Sequence, residues 1–587
     1  MSDERVLAGG TVLDVENGEL TAADLRIVGG VIQEWLPPGT ATAGAEVVDV
    51  AGRVLVPGFM DAHLHIESSM LAPAEFARVA VQHGTTAVFV DPHEIANVAG
   101  PRGVEFFLQQ ADALPLDLFV GIPSCVPATH LETAGGAVAL HDIDRLLEHA
   151  RVYGLAEMMN FPGIIHGLGD ARARVNIAWE AGKIVDGHAP GLSGPDLHTY
   201  VTNGENDGIV RIMSDHECTS QEEALEKHRA GVTIALRYGT ASKDLDRILP
   251  GLWEATGGDL GGFMLCSDDV SAEELNADGH MDRTVRRARD LLAESAGLDA
   301  KAAAIEAIRL ATRNVGAYFA RFLQTTGHPP LGTLSEGARA NVVILDSLES
   351  LQVVDVICGG RRQGERPPPA NEPAPADLKS SVHLDHRLTA DEFVVRVPPG
   401  ASGARVIVHQ PGSLLTGEMT VAVPAADGVV PSDPENDLAV LAVFERHGGP
   451  GTRFVGLVHG LGLRRGAVAS TVAHDSHNLV LAGVDASDLA AAGEALRECG
   501  GGLAVAVDGT VTTLPLRLAG LMSDRSLPEV VGDFEMILAA VRQTGTPLEN
   551  PFMALSFLSL PVIPNLKITD RGLVDVNRFE FVPLEIQ

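Results

Sequence analysis

The chain has 587 residues, more than one hydrophobic core usually supports, so two to four domains are expected. Its 43 Lys and Arg residues against 78 Asp and Glu residues give a formal net charge of −35, which argues against nucleic acid and anionic membranes as partners. No membrane-length apolar run, no signal-peptide pattern and no Cys-x-x-Cys pair is present, which predicts a cytoplasmic protein without a thiolate metal site.

The first half of the chain changes character once. Residues 1–52 form short strand-like segments between Gly and Asp turns, which predicts the first part of a small β domain. From 53 to 325, apolar strand-like runs alternate with amphipathic helical stretches, as in a parallel sheet with crossover helices. Strands are predicted at 53–60, 86–90, 116–121, 152–157, 183–187, 209–214, 232–236 and 262–267. Helices are predicted at 73–83, 101–111, 141–150, 170–181, 220–230 and 281–296. Eight such units predict a (β/α)8 barrel of the TIM type.

Three further segments follow the predicted barrel. Residues 326–362 are turn-rich and β-like, and we expect them to pair with 1–52 in the small β-sheet domain. Residues 363–384 are typical of a Pro-rich linker. Residues 385–587 are predicted to form a separate C-terminal α/β domain, with a helix over 487–499.

His63 and His65 are the first candidate functional residues. Residues two apart on a strand point to the same side, so both imidazoles can reach one metal ion. The spacing alone is weak, because it is expected nearly once by chance among 21 His in 587 residues. Its position at the end of the first predicted strand gives it weight, since the carboxyl ends of barrel strands carry the chemistry.

Imidazole and carboxylate side chains also follow later predicted strands. These residues are His93, Glu94, Glu157, His188, His216 and Asp268. Each has an ordinary explanation, because a single strand-end His is more often structural and an Asp-Asp pair is typical of a turn or helix cap. Together, in chain order and at one rim, they predict a metal centre.

The donor types limit the chemistry of this centre. Imidazole and carboxylate without thiolate suit Zn, Fe(II) or Mn(II), and composition does not choose among them. A bound divalent ion lowers the pKa of water to about 7. Two ions about 3.5–4 Å apart need a bridging group, for which Glu157 is the best placed. Asp268 is expected to accept the proton of the attacking water and deliver it to a leaving group.

Several motifs in the chain resemble those of the bacterial adenine deaminase family within the amidohydrolase superfamily. They are Phe59-Met-Asp-Ala-His-Leu-His-Ile-Glu-Ser-Ser-Met, Asp91-Pro-His-Glu, Gly154-Leu-Ala-Glu, Asp186-Gly-His-Ala-Pro-Gly, Leu265-Cys-Ser-Asp-Asp, Val472-Ala-His-Asp-Ser-His-Asn and Phe557-Leu-Ser-Leu-Pro-Val-Ile-Pro. The resemblance covers nearly the whole chain. The His-x-His element is shared across the superfamily, whereas the Ile-Glu-Ser-Ser-Met and His-Asp-Ser-His-Asn segments are specific to this family.

The resemblance implies hydrolytic deamination of adenine to hypoxanthine and ammonia by attack of metal-bound hydroxide at C6. It implies a binuclear centre of Mn(II) or Fe(II), with Zn as a further option, and a homodimer. The implied metal ligands are His63, His65, Glu157, His188, His216 and Asp268. Glu94 is predicted to be catalytic with Asp268, and His93 and Arg237 are predicted to contact the purine ring or support the ligands.

Two questions stay open at this point. His474, Asp475 and His477 are predicted either to form an auxiliary metal site, to cap the barrel mouth, or to form an internal turn. Lys183 is a less favoured alternative to Glu157 as the bridge, because it opens a strand and does not end one.

Two other functions compete with adenine deamination. Hydrolysis of another cyclic amidine or amide is the alternative activity, and such enzymes normally carry a lysine where Glu157 stands. A non-catalytic assembly scaffold is the alternative outside enzymes, and such proteins typically lose ligands that this chain retains.

Overall fold

The computed structural model describes residues 4–40, 44–365, 374–423 and 428–587. Its central element is the predicted parallel (β/α)8 barrel. The eight barrel strands are β1 (Phe59–His65), β2 (Thr85–Val90), β3 (Asp117–Ile122), β4 (Val152–Met158), β5 (Ile184–Gly187), β6 (Ser214–Asp215), β7 (Thr233–Arg237) and β8 (Phe263–Cys266).

The barrel strands pair in two hydrogen-bonded arcs. Strands β1 to β5 are neighbours in chain order, and β6 to β8 form the second arc. Directly after β8, the two-residue strand Asp268–Asp269 pairs in parallel with β1, so that Asp268 lies opposite Leu64. This pairing closes the barrel and brings the last predicted site residue beside the first.

Helices cover the outside of the barrel, as crossover connections require. They are Pro73–Ala80, His93–Ala99, Pro101–Gln110, Leu140–Leu147, Phe161–His166, Ala171–Glu180, Gly194–Val201, Gln221–Arg229, Leu245–Ala255, Ala272–Asp278, Met281–Ala296, Ala300–Ala311 and Arg313–Thr326. All six helices predicted from the sequence are present, with shifts of at most three residues at their ends.

Aromatic side chains fill the barrel interior away from the predicted site. Phe89, Phe119 and Tyr153 from the strands pack with Phe319 and Phe322 of the last barrel helix. Burial of large aromatic rings makes this end a packed core and not a pore. The candidate metal ligands lie at the other end of the barrel, toward the carboxyl ends of the strands.

The prediction of one strand over 53–60 is wrong. Residues Val54–Pro57 form a strand of the small β domain, and β1 starts only at Phe59. Between them stands Gly58, where an added Cβ would lie 2.1 Å from the Thr86 hydroxyl oxygen. The break occurs where Pro cannot donate to a sheet and where only Gly fits against the next strand.

The sixth barrel strand is also shorter than predicted. The apolar run 209–214 favours a strand, but only Ser214–Asp215 pair with β7. Ile209 at the start of this run is 46% exposed, whereas Ile212 is buried.

The small β domain combines N-terminal and post-barrel strands, as predicted. One sheet has the order Val31–Leu36, Asp24–Val28, Glu4–Ala8, Glu46–Asp49. The other has the order Arg361–Arg362, Val353–Cys358, Val342–Leu345, Val54–Pro57, Thr11–Asp14, Glu19–Ala22. The chain therefore leaves this domain to build the barrel and returns to it.

The C-terminal region is built on a mostly antiparallel sheet. Its order is Thr416–Ala422, Gly403–His409, Arg453–His459, Leu438–Phe444, Leu479–Gly483, Ala467–Ser470, Gly502–Val507, Thr510–Pro515, with Glu585–Ile586 beside Gly403–His409. A second sheet contains Leu566–Thr569, Gly572–Asp575 and Glu580–Val582. The helices are Ala486–Cys499, close to its predicted position, Leu527–Gln543 and Pro551–Leu558.

The predicted linker is only partly described. Residues 366–373 lie outside the described residues. The following residues pack on the C-terminal region, where Ser381 accepts hydrogen bonds from the buried Arg446 side chain. Within the described ranges, no helix is both long and apolar enough to cross a membrane.

Candidate metal centre and active site

Strand β1 carries three polar side chains at alternating positions. Asp61, His63 and His65 are all less than 5% exposed and lie within β1, whereas the sequence predicted that His63 and His65 follow the first strand. Asp61 accepts hydrogen bonds from the Ser267 backbone N–H (3.0 Å) and hydroxyl (2.5 Å). This carboxylate therefore ties β1 to the segment that carries Asp268.

The hydrogen bonds of His65 fix which ring nitrogen faces the barrel mouth. Its Nδ1 donates to the Asp91 carbonyl oxygen at 2.9 Å, which leaves a lone pair on Nε2. That Nε2 lies 3.2 Å from Nε2 of His63. Two imidazole nitrogens bound at about 2.1 Å to one ion lie roughly 3.0–3.4 Å apart. The pair therefore fits a shared divalent metal.

Glu157, at the end of β4, faces two sets of imidazoles with its two carboxylate oxygens. Oε2 lies 2.6 Å from Nδ1 of His188 and 3.1 Å from Nε2 of His216. Oε1 lies 3.6 Å from Nε2 of His65 and 3.4 Å from Nδ1 of His93. A carboxylate divided in this way has the arrangement that a bridge between two ions needs.

Burial and the imidazoles act in opposite directions on Glu157. Burial raises its pKa, but His188 and His216 outweigh this and hold the pKa well below its usual range. The carboxylate is thus kept ionised, as a metal ligand must be. The hydroxyl of Ser124 donates to the backbone carbonyl of Glu157 and holds this part of the strand in place.

Asp268 faces the metal-ligand candidates and one guanidinium. Its Oδ1 lies 3.2 Å from Nε2 of His65 and 3.6 Å from Nε2 of His63. Its Oδ2 accepts a hydrogen bond of 3.1 Å from Arg237. Burial raises the pKa of Asp268, but His63, His65 and Arg237 outweigh it, so the pKa lies well below its usual range.

Both terminal guanidinium nitrogens of Arg237 donate to carboxylates. Besides Asp268 it donates to Glu217 and, at 2.8 Å, to Asp244. Its position at the end of β7, 7% exposed, makes it a support for Asp268. These contacts favour the predicted supporting role of Arg237 over a contact with the purine ring.

The candidate ligand atoms converge in overlapping groups. Within each group the atoms lie within 4.8 Å of one another: His63, His216, Asp268; Glu157, His188, His216; His65, Asp91, His93, Glu157; and His65, Asp268, Asp269. All six predicted metal ligands fall in these groups. Nitrogen and oxygen donors without thiolate fit a divalent cation such as Mn(II), Fe(II) or Zn.

The auxiliary motif reaches the same barrel mouth from the C-terminal region. His474 Nδ1 lies 2.5 Å from Oε1 of Glu94, and His477 Nε2 donates to its Oε2. Burial raises the pKa of Glu94, but the two histidines outweigh it and hold the pKa well below its usual range. Glu94 in turn lies 3.5 Å from Nε2 of His93. Asp475 is buried, and its carboxylate interacts electrostatically with the same cluster.

Lys183 lies away from these groups. Its Nζ donates to the Val152 carbonyl oxygen at 2.6 Å, at the opposite end of β4 from Glu157. Burial lowers its pKa to about 8. Lys183 is therefore not a bridging group, and the amide-hydrolase alternative loses its most direct support.

Three residues of the site were assigned no role from the sequence. They are Asp61, Asp91 and Glu217, which respectively tie β1 to Ser267, orient His65 through a backbone carbonyl, and bind Arg237. Asp61 shares the two-residue spacing of His63 and His65, and this signal was available in the sequence. The pairing of Glu217 with Arg237 joins two strands and has no local signal.

Comparisons with known proteins identify two matching family models. Residues 54–362 match the amidohydrolase family, and residues 413–580 match the adenine deaminase C-terminal domain. The adenine deaminase of Desulfatibacillum aliphaticivorans is 42% identical over 99% of this chain and 96% of that protein. The adenine deaminase of Methanothrix thermoacetophila is 40% identical over the same shares.

Among solved structures, an adenosine deaminase from Xanthomonas campestris is similar at 15% identity, with a TM-score of 0.44 over 61% of this chain and 92% of that chain. The full-length similarity to curated relatives agrees with the family suggested by the motifs around His63 and His474. The chain therefore belongs to the adenine deaminase family of amidohydrolases.

Proposed function

We propose that this chain catalyses the hydrolytic deamination of adenine to hypoxanthine and ammonia. Family membership supports the reaction, and the position of Glu157 between two sets of imidazoles supports a binuclear centre. When bound, divalent ions lower the pKa of water from about 15.7 to about 7 and supply hydroxide at neutral pH.

The residues that would hold the ions divide around Glu157. His63, His65 and Asp268 would hold one ion, and His188 and His216 the other, with Glu157 between them. Mn(II) or Fe(II) is the proposed native metal, and Zn fits the same donors. The homodimer, the cytoplasmic location and the domain bounds 53–325 and 385–587 stay predictions.

Asp268 would move the proton between the attacking water and the leaving amine. Arg237 fixes Oδ2, so Oδ1 is the oxygen directed at the space between His63 and His65. Addition of water to C6 releases one proton, which Oδ1 accepts and returns to the exocyclic nitrogen as the C6–N bond breaks. Ammonia leaves, and the proton of the remaining C6 hydroxyl moves to N1, which gives the carbonyl of hypoxanthine.

Ammonia release tests this function directly. Purified protein loaded with Mn(II) or Fe(II) would be offered adenine, adenosine, guanine and cytosine. We expect turnover of adenine above the other three. Turnover of a different base without turnover of adenine would refute the substrate and leave the metal-dependent deamination intact.

A further inference from the structure

His474 and His477 both contact Glu94, but their ring nitrogens have different hydrogen-bond partners. The backbone N–H of Ala473 donates to Nδ1 of His477 at 3.1 Å, so the proton of a neutral His477 ring is on Nε2. That Nε2–H donates to Glu94 Oε2. A cation at this place would need the lone pair of Nε2, which this ring does not offer. The cluster of Glu94, His474 and His477 is therefore held together by hydrogen bonds and is not a metal site.

In this cluster both carboxylate oxygens of Glu94 act as acceptors. Its Oε2 accepts from His477 and its Oε1 lies 2.5 Å from Nδ1 of His474. Because both oxygens are occupied as acceptors, Glu94 serves to orient the imidazole of His474. The two histidines thus provide partners for both oxygens of a carboxylate that is only 2% exposed.

His474 itself is held on its other sides but keeps one nitrogen free. Its backbone N–H donates to the Ser556 hydroxyl at 2.9 Å, and its ring stacks on Phe557, with 6.1 Å between centroids and 24° between planes. Its side chain is 21% exposed. Within the described residues, no hydrogen bond to Nε2 is formed. Burial lowers the pKa of His474, but Glu94 outweighs this and raises the pKa to about 9, so the ring is an imidazolium at neutral pH and Nε2 carries a proton that it can donate.

His474 lies beside the candidate metal centre, in contact with Glu94. Its ring is within electrostatic range of the carboxylate of Asp269, the residue after Asp268. It is also connected to the bridge candidate through Glu94 and His93, which lies 3.4 Å from Glu157. The C-terminal region thus places a nitrogen donor at the rim where the substrate must enter.

We propose that His474 donates a hydrogen bond from Nε2 to N1 of adenine, so that the C-terminal region contributes a substrate-contacting residue; this rests on the proposed function. Attack at C6 breaks the π bond between C6 and N1 and moves its electron pair onto N1. A donor aimed at N1 is therefore bound more strongly in the transition state than in the ground state. Asp268 transfers the proton from the water to the amine, and His474 stabilises the charge that develops on N1.

Two substitutions separate this role from a purely structural one. The amide of His474→Asn mimics Nδ1, so it keeps the bond to Glu94 and removes the donor at Nε2. The amide of His474→Gln mimics Nε2, so it keeps that donor and removes the bond to Glu94. His141→Asn, at a side chain that is 82% exposed, is the control.

The expected result is an unequal loss. We expect His474→Asn to lower kcat/KM for adenine roughly 100-fold, as loss of one transition-state donor does, with unchanged metal content and thermal midpoint. His474→Gln should lose about tenfold or less. A larger loss of kcat/KM in His474→Gln, with His474→Asn near wild type, would overturn the proposal. His474 would then only form a structural hydrogen bond to Glu94.

Binding of deaza analogues gives a second readout that does not depend on turnover. 3-Deazaadenine keeps N1, and 1-deazaadenine replaces it with C–H. The dissociation constant of 3-deazaadenine should rise about tenfold in His474→Asn, while that of 1-deazaadenine stays unchanged. Equal changes for both analogues, or none for either, would overturn the contact with N1. Lack of adenine turnover by the wild type would instead refute the proposed function, and is measured before the variants.

Discussion

Two clusters of imidazole and carboxylate groups lie at the same barrel mouth, one around Glu157 and one around Glu94. They differ in what bonds to Nδ1, the far nitrogen of the histidine ring, whose Nε2 faces the cluster. His65 donates from Nδ1 to a carbonyl oxygen, which leaves Nε2 as a lone pair. His477 accepts a backbone N–H at Nδ1, which leaves Nε2 as a donor. The comparison shows that convergence of histidines and carboxylates does not by itself identify a metal site, because the far nitrogen decides whether the near one can bind a cation.

The two clusters also differ in how their carboxylate is used. Glu157 divides its oxygens between two sets of imidazoles, as a bridge between ions does. Glu94 offers both oxygens to two histidines of one loop. In this account the barrel supplies the proposed metal ligands, and the C-terminal region supplies His474, which Glu94 of the barrel orients beside them.

Glu157→Gln should have the largest effect. Loss of the bridging charge is expected to release at least one metal equivalent and to lower adenine deamination at least about 1000-fold, since metal chemistry contributes several kcal/mol. Elemental analysis and ammonia release measure the two effects. Glu105→Gln, at a surface ion pair with Arg145, is the matched control. Full metal content in Glu157→Gln would remove this residue from the centre.

Asp268→Asn should lower the rate with less effect on binding. General acid–base groups contribute about 100- to 10,000-fold, so we expect kcat to fall by at least about 100-fold while KM changes little. Steady-state kinetics on protein of known metal content measure this. Near-normal turnover would place the proton transfer at another residue.

The same substitution in both clusters tests the comparison itself. His63→Asn should lose metal, whereas His477→Asn should keep the wild-type metal content. We expect His477→Asn to lower activity about tenfold and the free energy of unfolding by about 1–3 kcal/mol, because it leaves the buried Glu94 carboxylate underbonded. Metal loss in His477→Asn equal to that in His63→Asn would contradict the assignment.

The smallest expected effect is a pH dependence of the free energy of unfolding. It comes from Lys567, which bonds to Phe557, the residue on which His474 stacks. Lys567 is buried, donates to the Phe557 carbonyl oxygen at 2.8 Å, and has a pKa lowered by burial to about 8. Between pH 8 and the usual lysine pKa of about 10.4, the unfolded chain binds more protons, so stability rises with pH. Relative to Lys567→Met, the wild type should gain about 2 kcal/mol between pH 7 and pH 9.5. Thermal unfolding of both proteins measures this, and a constant difference would show that Lys567 titrates normally.

The sequence predicted the parts of the fold that depend on local patterns. The runs that became β2, β4 and β7 are apolar and bounded by turns, and their carboxyl ends meet at one rim, so Glu157 could be placed beside His63. The break at Gly58 was missed although Pro57-Gly58 is a turn signal, because the apolar residues on both sides of it were interpreted as one strand.

The parts that depend on distant pairings could not be predicted. Glu94 and His477 are 383 residues apart, and their contact depends on how the C-terminal region docks on the barrel. The motif around His474 indicated a functional loop, but the spacing of its histidines fitted a metal site and a hydrogen-bonded cluster equally well. Only the Ala473 N–H, a backbone group, distinguishes them.

Anomalous diffraction from crystals of the Mn(II)-loaded protein tests the central claim most directly. The account predicts Mn peaks enclosed by His63, His65, Glu157, His188, His216 and Asp268, with Glu157 between them, and none between Glu94, His474 and His477. A peak in the second cluster, or no peak beside Glu157, would contradict it.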